Sequence, residues 1–200
     1  YYRDETVLRE ALKSGDIDYR EENQAKAWAL DYDTPAVDQG TLKKVNLRHY
    51  NPTGMQAFVY NTRRPIFQDV RVREALAHAF DFEWTNKNLF FGQYARTKSF
   101  FSNSDLASTG LPEGLELKIL EKYRDQVPSE VFTNSYQPPE TDGMGWPREG
   151  LLEAQKLLSQ AGWNVEDMRL TNQLTGEKFT FEILLYSEGF ERIVLPFARN

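Results

Sequence analysis

The sequence has 200 residues, of which 40% are apolar and 14% are aromatic, a composition that excludes an intrinsically disordered chain. Its net charge of −6 and its pI near 5.1 argue against a nucleic-acid-binding surface. The absence of cysteine excludes disulfides, thiol nucleophiles and cysteine metal sites, and no apolar run is long enough to predict a membrane span.

Hydrophobic periodicity predicts helices that alternate with strands along the chain. The first helix spans 6–14, where the apolar residues share one face and Gly15 follows as the natural stop. Further helices are predicted over 23–30, 70–82, 84–92, 115–126 and 149–161, with another opening at Glu191. Strands are predicted over 16–21, 43–51, 55–61 and 178–186. This alternation predicts the α/β class, and the long, irregular connections disfavour a simple doubly wound sheet.

The helix predicted over 70–82 has the clearest local signals. Asp69 precedes it as an N-cap, and Arg71 and Arg73 lie in its first turn, the unfavourable end of the helix dipole for a cation. We therefore expect acidic neighbours such as Asp69 or Glu74 to hold these arginines. The buried stripe is predicted to consist of Val72, Leu76, Ala79 and Phe80. The preceding strand, 55–61, is mostly apolar and is expected to be covered on both faces.

No combination of residues typical of a catalytic site is found. His49 and His78 each lack a second histidine at zinc-ligand spacing, and there is no nucleophile elbow or glycine-rich phosphate loop. The sequence therefore predicts no catalytic residue, no metal site and no cofactor.

Three polar or aromatic features leave alternatives open. An acidic cluster lacks the glycine hinge of a calcium loop, so solvated carboxylates are favoured there; its members are Asp16, Asp18, Glu21 and Glu22. The loop "DGMGWPR", 142–148, is interpreted either as a ligand flap or as a hydrophobic plug. The turn "NTRRP", 61–65, is either an anion site or a set of structural ion pairs, and the structural interpretation is favoured.

The stretch "YNTRRPIFQDVRVREALAHAFD", 60–81, resembles the hallmark of the family 5 extracellular solute-binding proteins, the peptide-binding receptors of ABC importers. The matching residues are Asn61, Pro65, Phe67, Asp69, Arg71, Val72, Arg73, Ala75 and Asp81. "REALKSGDIDYREE" upstream and "EGLLEAQKLLSQAGW" and "FTFEILLYSEGFERI" downstream are similar to other family elements, in the family's order. "YREENQAKAW" and "GMQAFVYNTRRP" resemble the branch that takes up oligopeptides and microcin C-type compounds.

The resemblance implies a periplasmic binding protein type II-like fold of two lobes. Residues 1–52 are then the tail of the first lobe and the hinge crossing, and 53–200 form most of the second lobe, incomplete at its C-terminal side. The chain is accordingly expected to be a piece of a larger receptor. The hallmark then lies in the scaffold of the second lobe, so its arginines need not touch ligand.

The same resemblance implies a substrate-binding component that binds oligopeptides or peptide-like compounds in a Gram-negative periplasm. It would deliver them to an inner-membrane permease and its ATPase, with no enzymatic activity, no cofactor and no nucleic-acid partner. The ligand-binding residues that it implies are Glu22, Asn23, Gln56, Ala57 and Asn61. Gln56 and Asn61 would hydrogen-bond the peptide, Ala57 would leave room for it, and Glu22 would take a basic side chain or amino terminus.

Two other classes of function remain as alternatives to a receptor. One is a hydrolase that uses acidic residues such as Glu21 and Glu22, and the other is a cytosolic protein-interaction module. A paired-carboxylate glycosidase would place two carboxyl groups roughly 5–9.5 Å apart in a cleft.

Overall fold

The computed structural model describes residues 1–200 as a set of helices with one β-hairpin. The α-helices are α1 (Glu5–Ser14), α2 (Ala25–Leu30), α3 (Pro35–Asp38), α4 (Val70–His78), α5 (Phe82–Leu89), α6 (Gly114–Leu120), α7 (Arg148–Gln160) and α8 (Glu191–Arg199). The strands β1 (Trp163–Glu166) and β2 (Arg169–Asn172) pair antiparallel. Short 3₁₀ segments are Pro65–Phe67, Glu121–Tyr123, Ser129–Phe132 and Glu188–Phe190. The chain is thus a mixed structure in which helices predominate over a small sheet.

Helix α1 confirms the first predicted helix, and its ends follow from local chemistry. The Asp4 carboxylate caps it by accepting the N–H groups of Thr6, at 2.8 Å, and Val7, at 3.0 Å. Gly15 ends it with φ of +84°, a left-handed conformation that glycine adopts without strain. Four residues in α1, α2 and the turn that follows are also buried, and none of them belongs to the main core: Ala11, Ala25, Ala27 and Tyr32.

The main core forms where α4 packs on α7. Of the stripe predicted for this helix, Val72, Leu76 and Ala79 are buried, and Phe80 is half-buried and packs against the core. The remaining buried members of this core are Phe67, Trp163 and Phe197. The two helices approach so closely at Gly150 that a Cβ there would lie 2.5 Å from the His78 carbonyl oxygen. Glycine at position 150 is therefore a packing requirement.

Helix α4 is shorter than predicted, because a second N-cap interrupts it. It ends at His78, and Asp81 begins α5 by accepting the Trp84 N–H at 2.9 Å. At the far end of the chain, Pro196 lies inside α8 and not in its first turn. The missing N–H of proline leaves one helical carbonyl without its usual donor, while the next residue, Phe197, is buried against Phe58 and Phe80.

The prediction of four strands is wrong, because none of these segments pairs with a neighbour to form a sheet. The spans 16–21, 43–51 and 55–61 pair with no other strand, and 178–186 makes a single bridge, between Lys178 and Thr171. The alternation over 178–186 is nevertheless real, since its odd-numbered residues up to 185 are half-buried and its even-numbered ones are exposed. The segment 55–61 is not covered on both faces, because Val59 is 93% exposed. Alternating apolar and polar residues indicate which side chains face a core. A strand in a sheet also needs a second backbone segment to hydrogen-bond with.

The β1–β2 hairpin was not predicted. Its turn consists of Asp167 and Met168, both with positive φ, at 48° and 63°. Two-residue hairpin turns favour this conformation, but asparagine and glycine are the residues that normally signal it. Leu170 faces the core from β2, and the Phe179 N–H donates to its carbonyl oxygen at 2.8 Å.

The chain exposes far more surface than a self-contained domain of its mass. Its accessible area is 15,214 Å², against about 9,700 Å² for a globular monomer of 23.3 kDa. Large apolar side chains such as Val59, Leu174 and Leu184 are more than nine-tenths exposed. None of the helices combines the length and the apolar composition that crossing a bilayer requires.

Candidate functional site

A cavity of about 500 Å³ lies between the start of α1 and the loop that precedes α2. Its lining residues are Glu5, Leu8, Tyr19, Arg20, Glu21, Glu22, Asn23 and Gln24. Two of the predicted ligand residues, Glu22 and Asn23, are therefore brought into one pocket. Three carboxylates and one guanidinium among the lining side chains give it an acidic balance, which suits a cationic group.

Glu22 forms the buried floor of this pocket. Its side chain is 3% exposed, and its Oε2 accepts hydrogen bonds from the Tyr32 hydroxyl at 2.8 Å and from Arg20 Nε at 3.3 Å. Its Oε1 accepts the Gln24 N–H at 2.9 Å. Arg9 lies 3.8 Å from Oε2 on the side of α1. The Glu22 carboxylate thus joins the loop to the first helix.

The protonation states of Glu22 and Tyr32 follow from their burial and from the hydrogen bonds between them and their neighbours. Burial alone would raise the pKa of Glu22, but hydrogen bonds from Tyr32, the Gln24 N–H and Arg20 hold it below its ordinary value of 4.5. Burial, together with the neighbouring Glu22 carboxylate, raises the pKa of Tyr32. Glu22 is therefore ionised at neutral pH while the Tyr32 hydroxyl keeps its proton to donate.

The other predicted ligand residues lie on the segment 55–61. Gln56, Ala57 and Asn61 are all exposed, while Phe58 and Tyr60 alternate with them toward the core. Asn61 Oδ1 accepts hydrogen bonds from the backbone N–H and the Nε of Arg63, both at 3.2 Å. These three residues do not line the acidic pocket. The structure therefore places the five predicted residues in two separate groups.

The prediction of structural ion pairs for the arginines of the turn and hallmark is confirmed only in part. Arg64 lies 3.7 Å from Glu182 and Arg71 pairs with Asp69, whereas Arg63 and Arg73 make no ion pair. Arg71 grips Asp69 through Nε and Nη2 and also donates to the Gln160 carbonyl oxygen at 2.6 Å. Its hydrogen bonds lower the pKa of Asp69 below the ordinary value. Arg73 donates to the Phe67 carbonyl at 2.6 Å and to the Gln68 carbonyl at 2.9 Å. Arg71 and Arg73 thus fasten α4 to the end of α7 and to the preceding turn.

The loop around "DGMGWPR" is pinned to the start of α5. Asp81, 4% exposed, accepts the Gly145 N–H at 2.9 Å, and the Thr141 hydroxyl lies between the carboxylates of Asp81 and Glu83. The Thr141 N–H donates to Glu83 at 3.0 Å. Trp146 is 55% exposed, so the plug interpretation is wrong. The pinned loop instead presents Trp146 at the surface.

The segment predicted as the hinge crossing is bonded to residues 102 and 103, a contact that the sequence did not predict. The Asn103 side-chain amide donates to the carbonyl oxygens of His49, at 2.9 Å, and Asn51, at 3.0 Å. The Thr53 N–H donates to the Ser102 carbonyl at 2.7 Å. We call the two contacts of the Asn103 amide, with His49 and Asn51, the Asn103 clasp. Asn103 has φ of 67°, a conformation that asparagine tolerates better than most residues.

Metal-binding geometry is not found in the chain. No group of three or more His, Cys, Asp or Glu side chains is arranged to hold a metal ion. His49 uses Nδ1 to accept the Asn51 N–H at 3.3 Å, which is a local turn contact.

Comparison with known proteins gives these features a context. The family model described as bacterial extracellular solute-binding proteins, family 5 Middle, matches residues 1–198. The chain belongs to family 5 of the extracellular solute-binding proteins. Membership in family 5 implies the type II periplasmic binding protein fold and a binding role, and it confirms the resemblance at the level of the family.

Several curated family 5 relatives match the whole chain. A "Probable peptide-binding protein YejA" of Agrobacterium fabrum is 45% identical over 202 residues, which are 33% of its length. An "Uncharacterized protein YejA" of Escherichia coli K12 is 42% identical over 200 residues, 33% of its length. A "Peptidoglycan-binding protein YepA" of Agrobacterium fabrum is 36% identical over 208 residues, 34% of its length. The chain thus spans about a third of the length of these relatives.

Proposed function

We propose that this chain belongs to the substrate-binding component of an ABC importer, which binds oligopeptides or peptide-like compounds in the periplasm of a Gram-negative bacterium. The observation that carries the proposal is the family 5 match over residues 1–198, together with a 45% identical relative named as a probable peptide-binding protein. The partners are then an inner-membrane permease and its ATPase. The finer placement in the branch that takes up microcin C-type compounds is part of the same proposal, and the motifs in the sequence support it.

The division of the chain is also proposed on this basis. Residues 1–52 belong to the tail of the first lobe and the hinge crossing, and 53–200 belong to the second lobe. The main core around α4 and α7, all of whose members lie after residue 53, supports such a division. The excess of exposed apolar surface is what a segment packed against further protein would have.

The ligand residues are proposed to be Glu22 and Asn23 on one side of the cleft and Gln56, Ala57 and Asn61 on the other. The acidic pocket supports a role for Glu22 toward a basic side chain or amino terminus. The exposed backbone of 55–61, which pairs with no strand, supports hydrogen bonding to an extended peptide. Lobe closure around the peptide by hinge motion would complete the site.

The geometry gives no support to a hydrolase that uses Glu21 and Glu22. The Glu22 carboxylate is engaged by Arg20, Tyr32 and the Gln24 N–H. A general acid or base needs a carboxylate that can exchange its proton with a substrate. We therefore propose a receptor in preference to a hydrolase that depends on Glu22.

Calorimetry on the protein at the full length of its relatives tests the proposal. We expect heat on titration with a mixed library of short peptides, and peptide that co-purifies with the protein and is detected by mass spectrometry. Absence of both would contradict the proposed function. Turnover of any peptide or sugar in the library would favour the hydrolase instead.

A further inference from the structure

Arg96 is a half-buried cation without a partner. Its Nη1 is shielded from solvent and makes no hydrogen bond, and no carboxylate lies within ion-pair distance of its guanidinium. A buried polar atom without a partner is costly, and a charged one more so. Burial lowers the pKa of Arg96, although a guanidinium stays charged at any physiological pH. The site therefore holds a permanent positive charge that lacks an anion.

Aromatic rings fix the position of this charge. The Arg96 guanidinium carbon lies 5.1 Å from the centre of the Phe80 ring and 5.3 Å from that of Phe82. Stacking on aromatic rings restricts a guanidinium and leaves its edges available for hydrogen bonds. The Glu83 carboxylate, whose charge acts on Arg96, is engaged with Thr141. The surroundings thus hold Arg96 in place without neutralising it.

The open edge of Arg96 matches a carboxylate. Its Nε and Nη2 make no hydrogen bond and, unlike Nη1, are not fully shielded from solvent. Two other arginines of the chain bind a carboxylate through this same edge. Arg71 binds Asp69 and Arg124 binds Glu121 through Nε and Nη2 in both cases. Such two-bond contacts are among the stronger polar interactions in proteins.

Arg96 also lies beside the segment that the proposed function places at the cleft. Phe80, on which it stacks, makes an edge-to-face contact with Phe58 at 5.5 Å. Tyr60 is close enough for the positive charge of Arg96 to act on its phenol. Phe58 and Tyr60 alternate with the exposed ligand residues Ala57 and Asn61, so Arg96 lies at the core-facing side of the same segment.

We propose that Arg96 binds a carboxylate of the ligand through the Nε–Nη2 edge of its guanidinium. The carboxylate is either the C-terminus of a peptide or an acidic side chain. This inference rests on the proposed function, since it assigns Arg96 to the same peptide-binding cleft. It complements the acidic pocket at Glu22, which suits the opposite charge.

The test is calorimetry of the full-length protein with three libraries of short peptides. One library has free C-termini, the second has C-terminal amides, and the third has C-terminal amides with glutamate at one position. We expect the free acids to bind roughly tenfold to a hundredfold tighter than the plain amides, the range for hydrogen bonds to a charged group. If only the third library regains this affinity over the plain amides, the carboxylate is that of a side chain.

Arg96→Gln should bind the acid library no better than the plain amides, and Arg96→Lys should keep part of the preference because it keeps the charge. Arg124→Gln is the matched control, because Arg124 also stacks on a ring, Phe132, but already has a carboxylate partner. It should leave the preference intact. Circular dichroism confirms that each variant is folded.

Two outcomes overturn the inference. If the wild-type protein binds all three libraries equally, or if folded Arg96→Lys and Arg96→Gln retain the full preference, then Arg96 does not bind a ligand carboxylate. Peptide amides that still bind would leave the proposed function standing in that case. Failure of all three libraries would contradict the proposed function as well.

Discussion

Glu22 illustrates how a residue at a predicted binding site also supports the fold. Its carboxylate accepts hydrogen bonds from Arg20, Tyr32 and the Gln24 N–H, and these contacts join the pocket loop to α1. A ligand cation that reaches the pocket would meet a charge already held in a fixed position. Its neighbour Glu21 is exposed and makes no hydrogen bond through its carboxylate.

Glu22→Gln should lower the free energy of unfolding by about 1–3 kcal/mol, because it removes the buried one of the two carboxylates that pair with Arg20 and leaves only the exposed Glu5. Glu21→Gln removes the same charge from an exposed neighbour and should change stability by less than about 0.5 kcal/mol. Urea unfolding of the two variants measures the difference. Equal stability of the two would show that the Glu22 network contributes nothing to folding.

The same network predicts a dependence of stability on pH. The folded-state pKa of Glu22 lies below 4.5, so its contribution is fully present above that pH and is lost as the pH falls through the depressed value. Unfolding followed between pH 6 and about pH 3 should therefore show a loss of stability in wild type that is smaller in Glu22→Gln. Parallel curves for the two proteins would contradict the assignment.

Among the elements, α5 and its attached loop depend on one carboxylate. Asp81 caps α5 and also accepts the Gly145 N–H and the Thr141 hydroxyl. Asp81→Ala should cost about 1 kcal/mol for the cap and about 1–3 kcal/mol for the partly buried Gly145 N–H left unpaired, while the Thr141 hydroxyl keeps Glu83 as its acceptor. Hydrogen exchange of the Gly145 amide should accelerate along with the loss of thermal stability.

Asp142→Ala is the control for this element, because Asp142 lies in the same loop but is exposed and accepts only the Met144 N–H. It should leave the Gly145 amide protected. If Asp81→Ala also left that amide protected, the loop would be held by contacts other than Asp81.

The elements also show which parts of the fold the sequence could predict. Helices α1, α4 and α7 were predicted because their caps and apolar stripes are local signals. The strand predictions failed because pairing depends on a partner backbone that the local sequence does not specify. The β1–β2 hairpin was missed because its Asp167–Met168 turn lacks the residues that usually signal one. In the candidate site, the family resemblance pointed to Glu22 as a ligand residue, and the structure places Glu22 in a pocket. Arg96 and the Asn103 clasp were not, because the contacts that define them join residues distant in sequence.

At the scale of the whole molecule, the Asn103 clasp joins two stretches about fifty residues apart at the proposed hinge. Asn103→Gly should remove the side-chain contacts while keeping the positive φ without strain. We expect the Thr53 amide, which the Ser102 carbonyl accepts, to exchange about tenfold faster in the full-length protein, since two net hydrogen bonds are lost. Asn88→Gly serves as a control, because its amide contacts only Trp84 within α5. Unchanged exchange at Thr53 would contradict a role of the clasp.

The donor residue and the two acceptor residues of the Asn103 clasp differ in how freely they can be substituted during evolution. Both acceptors are main-chain oxygens, which every amino acid supplies, so the identities of residues 49 and 51 are free to drift. The donor is a side-chain amide on a left-handed backbone, a pairing for which few replacements exist. Selection on the contact therefore falls almost entirely on position 103, and among descendants that keep it, that position should remain asparagine while its two partners diverge.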